Sequence, residues 1–190
     1  KKNSSKIETL ELNNKEILIV GFGRIGKSLI KRCIGFDMKV KIFDPFVSND
    51  IVKQFGGEKI EILNDGLSKC DYLSLHVPLT EKTKNMINFS KLETMKKTAV
   101  IINTSRGGII NETDLDKALK DKIIFGAGLD VFEKEPVENE NPLLKNNRVL
   151  LSPHSATFTN ECKSRMSIET TKNIIDFFEN KIDKSMIVEL

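Results

Sequence analysis

Tryptophan is absent from this 190-residue chain, tyrosine occurs once, and there are only two histidines and three cysteines. Cys33, Cys70 and Cys162 are odd in number and far apart, with no Cys-x-x-Cys. That spacing argues against a disulfide framework and for a reducing compartment, so the cytoplasm is the expected location. With two histidines and no clustered ligands, no metal is expected. No apolar run approaches the ~20 residues that span a bilayer, and an apolar signal segment is missing, so no membrane partner is expected. An excess of either charge is missing too: 30 Lys and Arg face 27 Asp and Glu, a net +3. The basic residues are scattered over many polar faces without interleaved aromatics, which argues against a nucleic-acid partner. What is present, 39% hydrophobic and 30% charged residues, suits a soluble globular chain long enough for one good core.

The most informative stretch is Gly21-Phe22-Gly23-Arg24-Ile25-Gly26. The apolar run Glu16–Val20 before it has strand character, and 27–33 after it carries apolar residues at helical spacing. Strand, G-x-G-x-x-G, helix is the context of a dinucleotide fingerprint. In it Gly21 permits the tight turn, Gly23 lets the backbone approach a pyrophosphate, and Gly26 lets helix and strand pack closely. The helix N-terminus offers unpaired N–H groups to phosphate. Eighteen positions past Gly26, the next strand ends in Asp44. A carboxylate there accepts hydrogen bonds from ribose hydroxyls and repels an additional phosphate, which favours NAD over NADP.

From residue 16 onward strand and helix signals alternate. Strands are predicted at 16–20, 39–43, 59–62, 71–75, 98–102, 123–129 and 148–151. Helices are predicted near 24–35, 49–55, 64–69, 90–95, 112–120 and 159–180. Ser90-Lys91-Leu92-Glu93 fits a capping box, and Asn111 or Thr113 is placed to cap the next helix. The last helical stretch carries an amphipathic stripe of Cys162, Met166, Thr170, Ile174, Phe177 and Phe178. The alternation predicts an α/β fold of Rossmann type, a doubly wound parallel sheet with helices on both faces. Residues 1–14 form a polar lead-in, 15–180 the nucleotide domain and 181–190 a tail.

Ligands of such sheets sit beyond the carboxyl ends of the strands. Four strand ends there carry chemically useful groups: His76-Val77-Pro78, Asn103-Thr104-Ser105-Arg106-Gly107, Asp130 with Glu133 and Glu135, and Ser152-Pro153-His154. Arginine is scarce, five in the chain, and the guanidinium of Arg106 suits bidentate capture of a carboxylate. His154 suits acid/base work near neutral pH, with Glu135 as the carboxylate that would stabilise its imidazolium. His76 is expected to pack near the cofactor.

These segments, with Asp44-Pro45, Leu75–Thr80, Ile102–Gly108, Gly128–Glu133, Glu135-Pro136 and Ser152–His154 in order over residues 15–180, resemble the NAD-binding domain of the D-isomer-specific 2-hydroxyacid dehydrogenases. The resemblance implies hydride transfer between NAD(H) and a D-2-hydroxy or 2-oxo acid of the 3-phosphoglycerate or glyoxylate/hydroxypyruvate type. By the same resemblance Arg106, Glu135 and His154 form the catalytic set: Arg106 binds the substrate carboxylate, His154 moves the hydroxyl proton, and Glu135 pairs with His154. Cofactor contacts are implied at Gly21, Gly23, Arg24, Ile25, Gly26, Asp44, Val77, Thr104, Ser105, Arg106, Asp130 and His154. Formate dehydrogenases are similar but carry glutamine at the position of Glu135, and phosphite dehydrogenases would share the triad. An NAD(H)-sensing, non-enzymatic binding protein of corepressor type is the alternative within the family. The family's substrate domain is built mainly from about a hundred residues before the Gly-rich motif, whereas only fifteen residues of this chain precede its first strand. The chain is therefore expected to bind NAD(H) and to turn over no substrate alone. A homodimer is expected of the full-length protein and is left open for this chain.

Overall fold

A computed structural model describes residues 10–187. Residues 1–9 of the expected lead-in and 188–190 of the expected tail lie outside that range. The chain divides into two compact units, Lys1–His154 and Ser155–Leu190, and each is described by itself.

In the first unit the order is β1 (Glu16–Val20), α1 (Arg24–Gly35), β2 (Lys39–Phe43), α2 (Asn49–Gln54), β3 (Glu58–Lys59), α3 (Leu63–Leu67), β4 (Tyr72–Leu75), α4 (Phe89–Thr94), β5 (Val100–Asn103), α5 (Glu112–Lys120), β6 (Gly126–Leu129) and β7 (Val149–Leu151), with a 3-10 turn at Pro142–Lys145 before β7. Among the described residues the strands form one seven-stranded sheet in the order β3-β2-β1-β4-β5-β6-β7, parallel at every pairing. The order reverses between β1 and β4, the switch point of a doubly wound fold.

Central strands of a parallel sheet are covered on both faces and so read as unbroken apolar runs. In β1, Ile17, Leu18, Ile19 and Val20 are all buried. Successive side chains point to opposite faces, which sorts them into two cores. Ile17 and Ile19 join Ile30 and Cys33 of α1 and Val52 of α2. Leu18 and Val20 join Leu67 of α3, Leu92 of α4 and Leu115, Ala118 and Leu119 of α5.

Register sets where the chain can do chemistry. Val20 pairs with Phe43 and Leu75, Leu75 with Asn103, Asn103 with Leu129, and Leu129 with Leu151. This last paired layer is continued one residue on by Gly21 N–H to Phe43 O (2.9 Å), His76 N–H to Val20 O (2.7 Å), Asp130 N–H to Asn103 O (3.0 Å) and Ser152 N–H to Leu129 O (3.0 Å). Gly21, Asp44, His76, Thr104, Asp130 and Ser152 therefore emerge side by side along one edge.

Besides shifts of one or two residues at other element ends, such as β5 starting at Val100 and α3 ending at Leu67, the predicted elements differ from the structure in three places with a clear physical reason. The strand expected at 123–129 starts at Gly126, because the apolar run Ile123-Ile124 belongs to the stop of α5. Lys122 takes a left-handed conformation (φ 56°), Ile123 N–H reaches back to Ala118 O (2.8 Å) and Lys122 N–H to Leu119 O (3.2 Å), a Schellman ending with lysine where glycine is usual. The expected capping box at Ser90 is replaced by Asn88, whose side chain accepts from Lys91 N–H and starts α4 a residue earlier. β3 shrinks to two residues at the sheet edge, where it has one neighbour. Asn111 caps α5 through Asp114 N–H, as one of the two expected candidates.

The second unit contains α6 (Asn160–Phe178) and a 3-10 turn at Lys184–Met186. The Thr159 hydroxyl caps α6 through Cys162 N–H (3.1 Å), and a Schellman ending also stops it, with Asn180 left-handed and Lys181 N–H on Asp176 O (2.7 Å).

Burial decides which thiols can react, since the thiolate is the nucleophile. Cys70 is fully buried and its thiol is pushed up to about 12, by burial first and by the nearby Glu16 charge second. Burial also raises the Cys33 thiol. A thiol reagent near neutral pH should modify Cys162 alone in the folded chain, with the other two released by denaturant. Fast modification of Cys33 or Cys70 under native conditions would contradict this packing.

Candidate cofactor and acid/base site

The turn from β1 into α1 is shaped by backbone contacts that leave no room for side chains. Gly21 has φ +95°, and a Cβ there would stand 2.4 Å from His76 O; a Cβ at Gly26 would stand 2.4 Å from Gly21 O. Gly23 differs, with nothing within 4 Å of where its Cβ would be. It is the N-cap of α1, no side chain caps the helix, and the first turn carries no acid. The helix start thus combines open space, uncapped N–H groups and the positive end of the helix dipole, the requirements for a phosphate. This donor set fits the pyrophosphate of a dinucleotide. Phe22 anchors the turn: its ring is buried and meets Phe55 edge to face at 5.5 Å.

Asp44 is tied to the same turn. Its Oδ2 accepts from Phe22 N–H (2.7 Å) and its Oδ1 from Phe46 N–H (2.8 Å). A carboxylate has about four lone-pair positions, so acceptor capacity remains for ribose hydroxyls. Arg24 and Ile25, the first helical residues, are exposed at the rim. Val77 lies against the turn, its Cγ1 2.9 Å from the Cβ position of Gly21.

Beside α1 lies an open cleft of about 320 Å³ whose lining includes Ile25, Ser28 and Arg32 of α1, Ser74 and His76 at β4, and Thr104 after β5. It brings Ile25 and Thr104 together from opposite sides of the switch point. His76 Nε2 shares a hydrogen bond with Ser74 Oγ (2.8 Å), and burial lowers its imidazole pKa. A ring held neutral by desolvation suits packing beside a ligand better than proton transfer.

Asn103 governs the loop of Thr104, Ser105 and Arg106. Its Nδ2 donates to Arg106 O (2.8 Å) while its Oδ1 accepts from Ser105 N–H (3.1 Å) and Ser105 Oγ (2.8 Å). The exposed guanidinium of Arg106 donates back to Ser105 O (2.6 Å), and does not join the Glu135–His154 pair in this arrangement. Gly107 carries the loop against the next one, since a Cβ there would fall 1.7 Å from Phe132 O. Any side chain at Gly107 would force the two backbones apart, at a cost of about 1–3 kcal/mol or more.

On that next loop, Glu135 Oε1 accepts from Phe132 N–H (3.0 Å) and Glu135 Oε2 from His154 Nδ1 (2.6 Å). The two side chains are partly exposed, 36% for Glu135 and 50% for His154. His154 takes a left-handed backbone conformation, φ 49°, which costs a non-glycine residue about 1–2 kcal/mol. Asp130, buried at the base of the same loop, accepts a short hydrogen bond from Ser152 Oγ. Sequence reasoning singled out neither Asn103 nor Ser152 for a role of its own; each is a short polar residue at the end of an apolar strand, which is the one signal that marks it.

The pair has a consequence for stability. The hydrogen bond from His154, then that from Phe132 N–H, holds the Glu135 carboxyl below its ordinary 4.5. A carboxyl depressed in the folded state adds stability that is fully present above pH 4.5 and is lost as pH falls through the folded value. Denaturant unfolding of the chain and of Glu135→Gln should therefore show a stability gap above about pH 5 that closes on further acidification. A gap that stays constant down to pH 3 would contradict the pairing.

No described helix is long and apolar enough to cross a membrane. Residues 1–156 match the model of the D-isomer specific 2-hydroxyacid dehydrogenase, NAD binding domain. The chain is 43% identical over 169 residues to a glyoxylate reductase of Korarchaeum cryptofilum, covering 89% of this chain and 51% of that protein. To a D-3-phosphoglycerate dehydrogenase of Methanocaldococcus jannaschii it is 34% identical over 182 residues, covering 96% and 34%. The NAD-complexed D-isomer specific 2-hydroxyacid dehydrogenase of Lactobacillus delbrueckii ssp. bulgaricus superposes with a TM-score of 0.84 at 27% identity, covering 95% of this chain and 58% of that one. The chain spans about half the length of most of the curated relatives it matches.

Proposed function

The chain belongs to the D-isomer-specific 2-hydroxyacid dehydrogenases, through their NAD-binding domain, and on that premise we propose that it is the cofactor-binding half of an NAD-dependent dehydrogenase of small D-2-hydroxy or 2-oxo acids. The observation that carries the proposal is the 2.6 Å contact between Glu135 and His154 at the strand ends beside an uncapped, glycine-lined helix start. Glyoxylate and 3-phosphoglycerate are substrate types supported by the relatives' names, and hydroxypyruvate is the third that the family resemblance implies.

Gly21, Gly23, Arg24, Ile25 and Gly26 hold the pyrophosphate, Asp44 the adenosine ribose, and Val77, Thr104, Ser105 and Asp130 the remainder of the cofactor, with Arg106 and His154 at its reactive end. The carboxylate of Asp44 disfavours an additional phosphate on the ribose and so favours NAD over NADP. Bound there, NAD supplies the hydride acceptor for oxidation and the donor for reduction. The chain's own residues do the rest. Arg106 grips the substrate carboxylate with a planar fork of donors. Because Nδ1 of His154 is engaged by Glu135, the ring's Nε2 is the atom that takes the hydroxyl proton in oxidation and returns it in reduction. Glu135 orients the ring and offers its charge to the imidazolium. A homodimer of the complete protein in the cytoplasm fits this reading, and the unpaired thiols Cys33, Cys70 and Cys162 are in keeping with a reducing compartment.

A purely NAD(H)-sensing protein would use the same pocket without the proton step, so the two readings part at His154. In the complete protein, His154→Asn should lower kcat for a 2-hydroxy acid by about 10²–10⁴-fold, the usual worth of a positioned acid/base, and change NADH affinity far less than kcat, since most of the cofactor contacts lie elsewhere. Undiminished turnover in that variant, or no turnover by the complete wild-type protein, would overturn the dehydrogenase reading.

A further inference from the structure

The segment that carries Glu135 gives no obvious reason for its precision. After the buried Val131 and Phe132, residues 133–136 are exposed, and no helix or strand is formed between Leu129 and Pro142. A flexible surface loop would not hold a carboxylate at 2.6 Å from an imidazole. Besides the bond from Phe132 N–H to Glu135 Oε1, a pair of acids outside the catalytic set holds this segment. Glu133 N–H donates to Glu112 Oε1 (2.5 Å), and Glu112 N–H donates to Glu133 Oε1 (3.0 Å). Each glutamate thus receives the other's backbone.

We infer that Glu112 and Glu133 form a clasp that positions Glu135 against His154, making both of them positioning residues for the proposed acid/base pair. The inference rests on that reading of the pair, and three features of the geometry carry it. Glu112 is the first residue of α5, so its N–H is one of the donors a helix start leaves unpaired. The cap residue Asn111 is already spent on Asp114 N–H (2.9 Å), and Glu133 satisfies what the cap does not. Acids are also favoured at this positive end of the helix, which offsets the repulsion of two carboxylates brought together.

The other oxygen of Glu112 extends the hold. Glu112 Oε2 accepts from Asn141 Nδ2 (2.6 Å), so one carboxylate ties down residues at both ends of the segment 133–141. Glu135 lies within that closed span, two residues from its first anchor. Lastly, the anchor is rigid. Leu115, Ala118 and Leu119 of α5 are fully buried in the core, so the loop is fixed to the core and not to another loop. On its other side the segment is backed by Gly107, pressed against the Phe132 carbonyl.

The chain contains two histidines, so the imidazole signals of His154 can be assigned by NMR against His154→Asn. Two readouts report the pair without substrate or cofactor: the protected Nδ1–H resonance of His154, and the titration of the Glu135 side-chain carboxyl. Glu133→Ala and Glu112→Ala should each abolish the protected resonance and move the Glu135 midpoint up toward the ordinary glutamate range. Glu133→Gln keeps an acceptor oxygen for Glu112 N–H and should preserve both signals. Glu133 is exposed, so its truncation leaves the core intact, and an unchanged far-UV spectrum confirms that. If both alanine variants leave the two signals as in the wild type, the clasp is overturned while the pair stands. If the wild-type chain itself lacks the signals, clasp and pair fall together. A complete protein that turns over no 2-hydroxy acid, with the signals still responding to Glu133→Ala, would sink the proposed activity and leave the clasp in place.

Discussion

Backbone pressed on backbone is the constraint from which the site follows. At Gly21, Gly26 and Gly107 the position a Cβ would occupy lies 2.4, 2.4 and 1.7 Å from a backbone carbonyl oxygen, of His76, of Gly21 within the same turn, and of Phe132, closer than any side chain allows. The first contact sets the exit of β1 against that of β4 at the switch point. The second brings the start of α1 down onto the turn and aims its N–H groups outward. The third joins the loop of Arg106 to the loop of Glu135. Without these approaches the sheet would still form, since its two cores are built from strand and helix interiors. The groups at its edge would then splay apart.

On that frame, short polar side chains fix the loops that the glycines bring together. Asn103 folds the Arg106 loop, Ser152 holds Asp130, Asp44 ties the Gly-rich turn to the end of β2, and Glu112 and Glu133 fasten the segment of Glu135 to α5. Each of these hydrogen bonds contributes about 1 kcal/mol to stability, too little for any one of them to decide the fold. Their effect is on position. An acid/base pair and a phosphate cradle work only when donors and acceptors are held within hydrogen-bonding distance before the ligand arrives.

Much of this was legible from residues alone, for physical reasons. The strand buried on both faces, Glu16–Val20, writes a nearly unbroken apolar run, and Lys39–Phe43 shows itself by alternation, with Val40 and Ile42 buried between Lys39 and Lys41. The Gly-rich turn and Asp44 are legible because their chemistry depends on local spacing. Legibility fails where the partner is distant in sequence. Glu112 reaches Glu133 across 21 residues and Asn141 across 29, and nothing near Glu112 marks it as more than an acid in a first helical turn. The extent of β6 does not follow from the apolar run because Ile123 and Ile124 are apolar for another reason, packing at a helix stop whose left-handed residue is Lys122 and not glycine. The pairing of His154 with Glu135 is expected from the chemistry of the strand ends and from resemblance, but its 2.6 Å geometry is not legible, since residues 19 apart on two loops carry no periodic signal.

The central claim is that the carboxyl edge of this sheet, at the Gly-rich turn, is where NAD(H) binds. The most direct test is titration of the isotopically labelled chain with NADH, following backbone amides by NMR, with NADPH in parallel. Saturable shifts concentrated at Gly21–Gly26, Phe22 N–H beside Asp44, and Thr104–Arg106, with much weaker binding of NADPH, are the predicted result. Shifts confined to other surfaces, or none at millimolar NADH, would contradict it.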